Sequence, residues 1–87
     1  MNEKVNDLVD TVDLMTSNDY KDRFRAEYYQ LKIRYNKLMD MLRKWKAGEL
    51  NFKPSCPFNT LYQQSTCMRM YLDVLEKRAK IENIELS

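Results

Sequence analysis

Between Asp19 and Ala47 the chain reads DYKDRFRAEYYQLKIRYNKLMDMLRKWKA, and within it Phe24, Tyr28, Leu31, Tyr35, Leu38, Leu42 and Trp45 fall alternately four and three residues apart. That rhythm keeps all seven on one narrow seam of an α-helix, which at ~1.5 Å per residue would run roughly 43 Å. No other segment is organised this clearly, and the rest of the chain reads as helices arranged around it.

Ahead of the long helix, Val5, Leu8, Val9, Val12 and Met15 recur at helical spacing, with Glu3, Asp7 and Asp10 near the start, where a helix dipole favours negative charge. A short amphipathic helix over about 2–16 is expected. Ser17, Asn18 or Asp19 can then cap the second helix, over about 19–47, which should end at Gly48 with Lys44 and Lys46 in its last turn. After the NFKPSCP connector, Ser55 is placed to cap a third helix with Pro57 in its first turn. Leu61, Met68, Leu72, Leu75 and Ala79 carry its seam, and Phe58, Cys67, Tyr71, Val74 and Ile81 widen its apolar face. The third helix should reach about Asn83. Its length is close to that of the second, so the two form an antiparallel hairpin in a single all-α domain spanning 1–87.

A chain of 87 residues buries only about 60% of the surface its unfolded form exposes. Domains this small usually gain further stability from disulfides, a metal or self-association. Two cysteines, Cys56 and Cys67, and no histidine argue against a four-ligand zinc site. No run of the ~18 apolar residues needed for a membrane span is present, and the acidic N-terminus has the wrong flank for a signal peptide. The chain is therefore expected in the cytoplasm with both thiols free. Association remains: a homodimer or higher homo-oligomer in which paired hairpins build a helical bundle, with the first helix docking against Ala26, Tyr29 and Ile33.

The net charge of +2 hides a dipolar chain, because residues 19–53 hold ten Lys or Arg against five Asp or Glu, whereas residues 1–18 hold one lysine against four acids. Along one flank of the seam lie Arg25, Tyr29, Lys32, Asn36, Arg43 and Lys46, and along the other Arg23, Gln30, Arg34, Lys37 and Lys44. Cations interleaved with tyrosines suit a nucleotide, since the charge holds a phosphate while the ring stacks on a base. Arg25, Lys32 and Arg43 are candidate phosphate contacts, Tyr29 a stacking ring, and Asn36 a further ligand contact. Arg34, Lys37 and Met41 are candidate contacts to a protein partner. The same lysines and arginines also suit a solvated outer face. Duplex DNA is disfavoured by the low overall charge and the lack of a recognition-helix motif.

No histidine, a single glycine and no acidic cluster at metal-site spacing leave the common catalytic parts missing, so neither an enzyme nor a cofactor is expected. Cys56 at a helix start could be an activated thiol or a small hydrophobe near Phe52 and Phe58.

The runs DYKDRFRAEYYQLKIRYNKLMDML, PSCP and MYLDVLEKRAKIENIEL resemble a family of small phage proteins that recur across siphophages and prophages and are related to a crAssphage gene product. The resemblance spans about 19–86 and brings no catalytic residues. It implies expression in the cytoplasm of a bacterial host. By analogy of gene class it also implies counter-defence, through capture of an anionic nucleotide-type immune signal such as a cyclic oligonucleotide or ADP-ribose derivative. Two alternatives stay open: an inhibitor that binds a host defence protein or CRISPR nuclease, and a structural or assembly protein of the virion.

Overall fold

The computed structural model describes residues 5–86, and among them the chain is all-helical. A 3-10 turn, Leu8–Thr11, leads into α1, Val12–Met15, followed by α2, Tyr20–Lys46, and α3, Phe58–Ile81. The first element is shorter than the helix expected over 2–16, whose residues 2–4 lie outside the described residues. Asp7 is the reason it starts late. Its backbone is extended, its carboxylate accepts from the Leu8 N–H at 2.7 Å, and Asp10 accepts from the Asp7 N–H at 3.0 Å. This reciprocal cap begins a helix and does not continue one.

α2 is capped by Asp19, which accepts from the Lys21 N–H at 3.0 Å. At the far end Gly48 takes φ +72°. The Gly48 N–H reaches the Trp45 carbonyl at 3.1 Å and the Glu49 N–H reaches the Lys44 carbonyl at 2.8 Å. These two bonds satisfy carbonyls that a helix end leaves open, and they need a left-handed residue between them.

α3 starts two residues later than expected. Its cap position is Pro57, which makes no side-chain capping bond, and Ser55 lies outside the helix. The residue before a proline is sterically disfavoured in the α region, so Cys56 cannot open the first turn. The helix also stops at Ile81. Asn83 adopts φ 55° and the Ile84 N–H returns to the Ala79 carbonyl at 2.8 Å, the same stop that Gly48 makes.

The antiparallel sense of the hairpin follows from its cross-contacts. Tyr20 bonds Glu82, Tyr28 bonds Glu76, Arg69 lies over Tyr35, and Trp45 meets Phe58 edge-on, so positions rise along α2 as they fall along α3. Phe24, Tyr28, Leu72, Leu75, Ala79 and Ile84 make the core at the open end of the hairpin, with Leu31, Tyr35 and Leu86 against it. Toward the connector the seam is thinner. Only Leu42 is fully buried there on α2, while Leu38 and Trp45 stay half-exposed.

The N-terminal segment docks on α2 away from this seam. Thr11 is buried and accepts from the Gln30 amide at 2.8 Å, while the Lys37 ammonium approaches Asp7 at 3.4 Å. Of the three residues expected to receive it, Ala26 is buried and Ile33 half-buried. Tyr29 packs against the hairpin core, edge-on to Tyr28 at 5.5 Å.

Candidate functional site

Residues 25, 29, 32, 36 and 43 of α2 recur at spacings of three, four and seven, which places them along one flank of the hairpin. Tyr62, Arg69, Asp73, Glu76 and Lys80 recur in the same way along α3. The contacts between the helices show that these two rows share a side. The Lys32 ammonium sits 5.6 Å from the centre of the Tyr28 ring, the Tyr28 hydroxyl donates to Glu76 at 2.9 Å, and the Arg69 guanidinium lies 5.6 Å from the Tyr35 ring. Lysine stems covering tyrosine rings keep the charge at the surface and the ring beneath it.

Not every expected cation is free. Arg25 donates from Nε to the Glu85 carbonyl at 2.8 Å and from a terminal nitrogen to Asp22 at 3.0 Å. Arg43 is ion-paired with Asp40 one turn away. Lys32 has no carboxylate partner among the described residues, and Asn36 is exposed between Lys32 and Arg43. The structure therefore brings Arg25, Tyr29 and Lys32 together near the core, with Asn36 and Arg43 farther along the same flank.

α3 adds Arg69, Glu76 and Lys80, which were not singled out from the sequence. Arg69 bonds Asp73 at 2.8 Å and reaches Glu76 at 3.4 Å, so it orders the carboxylate that holds Tyr28. Lys80, Glu76, Ala79, Tyr28, Ile84 and Leu86 line an open cleft of about 350 Å³. Tyr62 stacks on Phe58 with ring centres 6.3 Å apart and remains 56% exposed. Their regular recurrence along one flank was the available signal, but it became meaningful only when α2 was placed beside it.

Burial, and then the bond to Glu76, push the Tyr28 hydroxyl up to about 12. An unfolded tyrosine titrates near 10. The folded chain thus holds this proton more tightly, and the stability it contributes is complete below about pH 10 and is lost as pH rises through about 12. Alkaline denaturation should show a loss of stability across that window, and Tyr28→Phe should flatten it. An unchanged slope in the variant would mean that Tyr28 is not held as described.

A second open cleft, about 420 Å³, lies where α2 meets the connector and includes Lys37, Met41, Lys44, Leu50 and Phe52. Two of the three candidate partner contacts, Lys37 and Met41, line it. Arg34 is exposed one turn before Lys37 and has no carboxylate partner among the described residues. Cys56 is half-buried and Cys67 exposed, and both are free thiols. Among the described residues no helix is long and apolar enough to cross a membrane. No curated protein and no solved structure matches the chain. A family model described as Sequestin matches residues 18–81.

Proposed function

The chain belongs to the Sequestin family, and on that premise we propose that it captures and holds a small anionic nucleotide-type immune signal, without turnover, as a phage counter-defence protein in the host cytoplasm. The observation that carries this reading is the Lys32 ammonium over the Tyr28 ring, because the same ring also walls the cleft that contains Lys80. Cation, aromatic and cavity are continuous there. A phosphate would sit between Lys32 and Lys80, with Arg25 beside it, while Tyr29 borders the base or ribose. Asn36 and Arg43 extend the contacts along α2. The family's name agrees with sequestration, and the cleft volume lies at the lower end of small-molecule sites, which run about 300–1,000 Å³. A cyclic oligonucleotide or ADP-ribose derivative is larger than one such cleft holds with ease, so a homo-oligomer that presents two clefts to one ligand fits the reading.

Titration with cyclic dinucleotides, cyclic trinucleotides and ADP-ribose derivatives tests it. A ligand at about 100 times its Kd adds about 2.7 kcal/mol to folding, which for a domain of this size raises Tm by roughly 10–20 °C. The ligand should be recovered chemically intact after the protein is denatured. Lys32→Ala should weaken binding more than Arg43→Ala, since Arg43 already has a carboxylate partner. No change in Tm or in free ligand across the whole panel would end this proposal.

A second reading is favoured by the cleft that Lys37 and Met41 line beside the 55% exposed Phe52. Such a surface, apolar at Met41, Leu50 and Phe52 and rimmed by Lys37, Lys44, Asp40 and Glu49, suits a protein-binding inhibitor of a host defence factor or CRISPR nuclease. A stoichiometric host protein that is lost on Arg34→Glu with Lys37→Glu, in the absence of any nucleotide binding, would favour it.

A further inference from the structure

α3 carries two apolar rows. The inner one, Met68, Leu72, Leu75 and Ala79, closes on α2. The other, Cys67, Met70, Val74 and Ile81, is spaced by three, four and seven residues and points away from it. Met70 is 63%, Val74 55% and Ile81 71% exposed. A helix apolar on opposite sides belongs between two neighbours, and only one is present. The described segments of the same chain do not supply the other: residues 7–15 lie on α2 through Asp7, Thr11 and Met15, and the C-terminal segment is held at the core by Ile84 and Arg25.

We propose that this outer face of α3 is where a second copy of the chain docks, with the two α3 helices antiparallel across a two-fold axis at Val74. About that residue the two ends of the row match each other, while Met70 of one copy would meet the aliphatic stem of Arg78 of the other, whose guanidinium is held by Glu82. Cys67 and Ile81 lie seven positions to either side and would meet across the axis. Tyr71 and Lys77 lie three positions to either side, which sets the Lys77 ammonium of one copy against the Tyr71 ring of the other. The Tyr71 hydroxyl already bonds Glu27, so the lysine would also meet a carboxylate. Lys77 has no carboxylate partner among the described residues. Lys77 and Arg78, set at the edges of an otherwise apolar seam, also favour one register over its neighbours. The chain exposes 6550 Å², where a compact monomer of its mass exposes about 5,500 Å². That surplus belongs to the whole elongated chain and is of the same order as the ~800 Å² that each partner contributes to a standard interface.

The proposal rests on the reading of the protein as a homo-oligomer and is independent of what it binds. Sedimentation of the wild-type chain should give twice the 10.6 kDa subunit mass. Val74→Glu should halve that mass and leave helicity intact, because Val74 is 55% exposed and lies outside the hairpin core. In a Cys56→Ser, Cys67→Ser background, Val74→Cys should form a covalent dimer on mild oxidation, and Val9→Cys, exposed on the other side of α2, should not. A monomeric wild type, a Val74→Glu variant that stays dimeric, or equal cross-linking at the two positions would each overturn it. Nucleotide titrations on the same samples separate the two ideas. Binding by a monomeric wild type would sink the dimer alone, and a dimer across α3 that ignores every nucleotide would sink the ligand reading alone.

Discussion

Leu72→Ala should remove about 3 kcal/mol of folding free energy, within the 2–5 kcal/mol range for emptying a closed core position. Leu72 is almost wholly buried and sits among Phe24, Tyr28, Leu75 and Ala79. Stability of about 0.05–0.15 kcal/mol per residue gives a chain of this length only about 4–13 kcal/mol in total. The substitution therefore removes a large share of it. Urea denaturation followed by far-ultraviolet circular dichroism measures the loss directly, and a midpoint shift with an unchanged slope identifies it as stability. A loss below about 1 kcal/mol would mean that the hairpin does not close at this end as described.

Ile84→Asp should be comparably severe, at about 3–5 kcal/mol, because it replaces a buried apolar side chain of the core with a carboxylate beside Glu76. Ile81→Asp should change the stability of a single copy by no more than about 0.5 kcal/mol. The two isoleucines are three residues apart, yet Ile84 is 5% exposed and Ile81 71%. The comparison is best made in the Val74→Glu background, where both variants are measured as single subunits. Equal losses at the two positions would contradict the packing of the C-terminal segment. Near-neutral Ile84→Asp would show that the segment does not close the core at all.

That pair of residues marks where reading by periodicity stops working. Continuing the helical rhythm of α3 seven residues past Val74 leads to Ile81, and the sequence reading accordingly placed Ile81 on the apolar face and ran the helix to about Asn83. Asn83 instead takes a left-handed backbone, and the chain turns so that Ile84 enters the core and Leu86 packs beside it. Asparagine tolerates this conformation better than most residues, so the stop was legible in principle. Gly48 announces the same stop more clearly, since glycine pays no steric penalty there. Pro57 likewise ruled out Ser55 as the cap, through its effect on Cys56.

The candidate site divides along the same line. The row Arg25, Tyr29, Lys32, Asn36 and Arg43 was readable because a helix turns any three-four spacing into a flank. Spacing does not report partners that arrive from elsewhere in the chain. The Glu85 carbonyl that accepts from Arg25, the Glu76 carboxylate that holds Tyr28 and the Arg69 guanidinium over Tyr35 lie 60, 48 and 34 positions away, and the cleft with Lys80 forms only where α3 and the C-terminal segment meet α2.

By itself, then, the sequence determined that this protein is helical, where its first long helix ends, and which flank of α2 carries the cations. These depend on backbone preferences and on periodicity, both of which act over one or two helical turns. Only the tertiary structure decided which tyrosines face a cavity, which arginines are already neutralised, and which apolar row of α3 was left without a neighbour. Each of these is a property of two segments brought together, and burial and charge pairing have no value until both are in place.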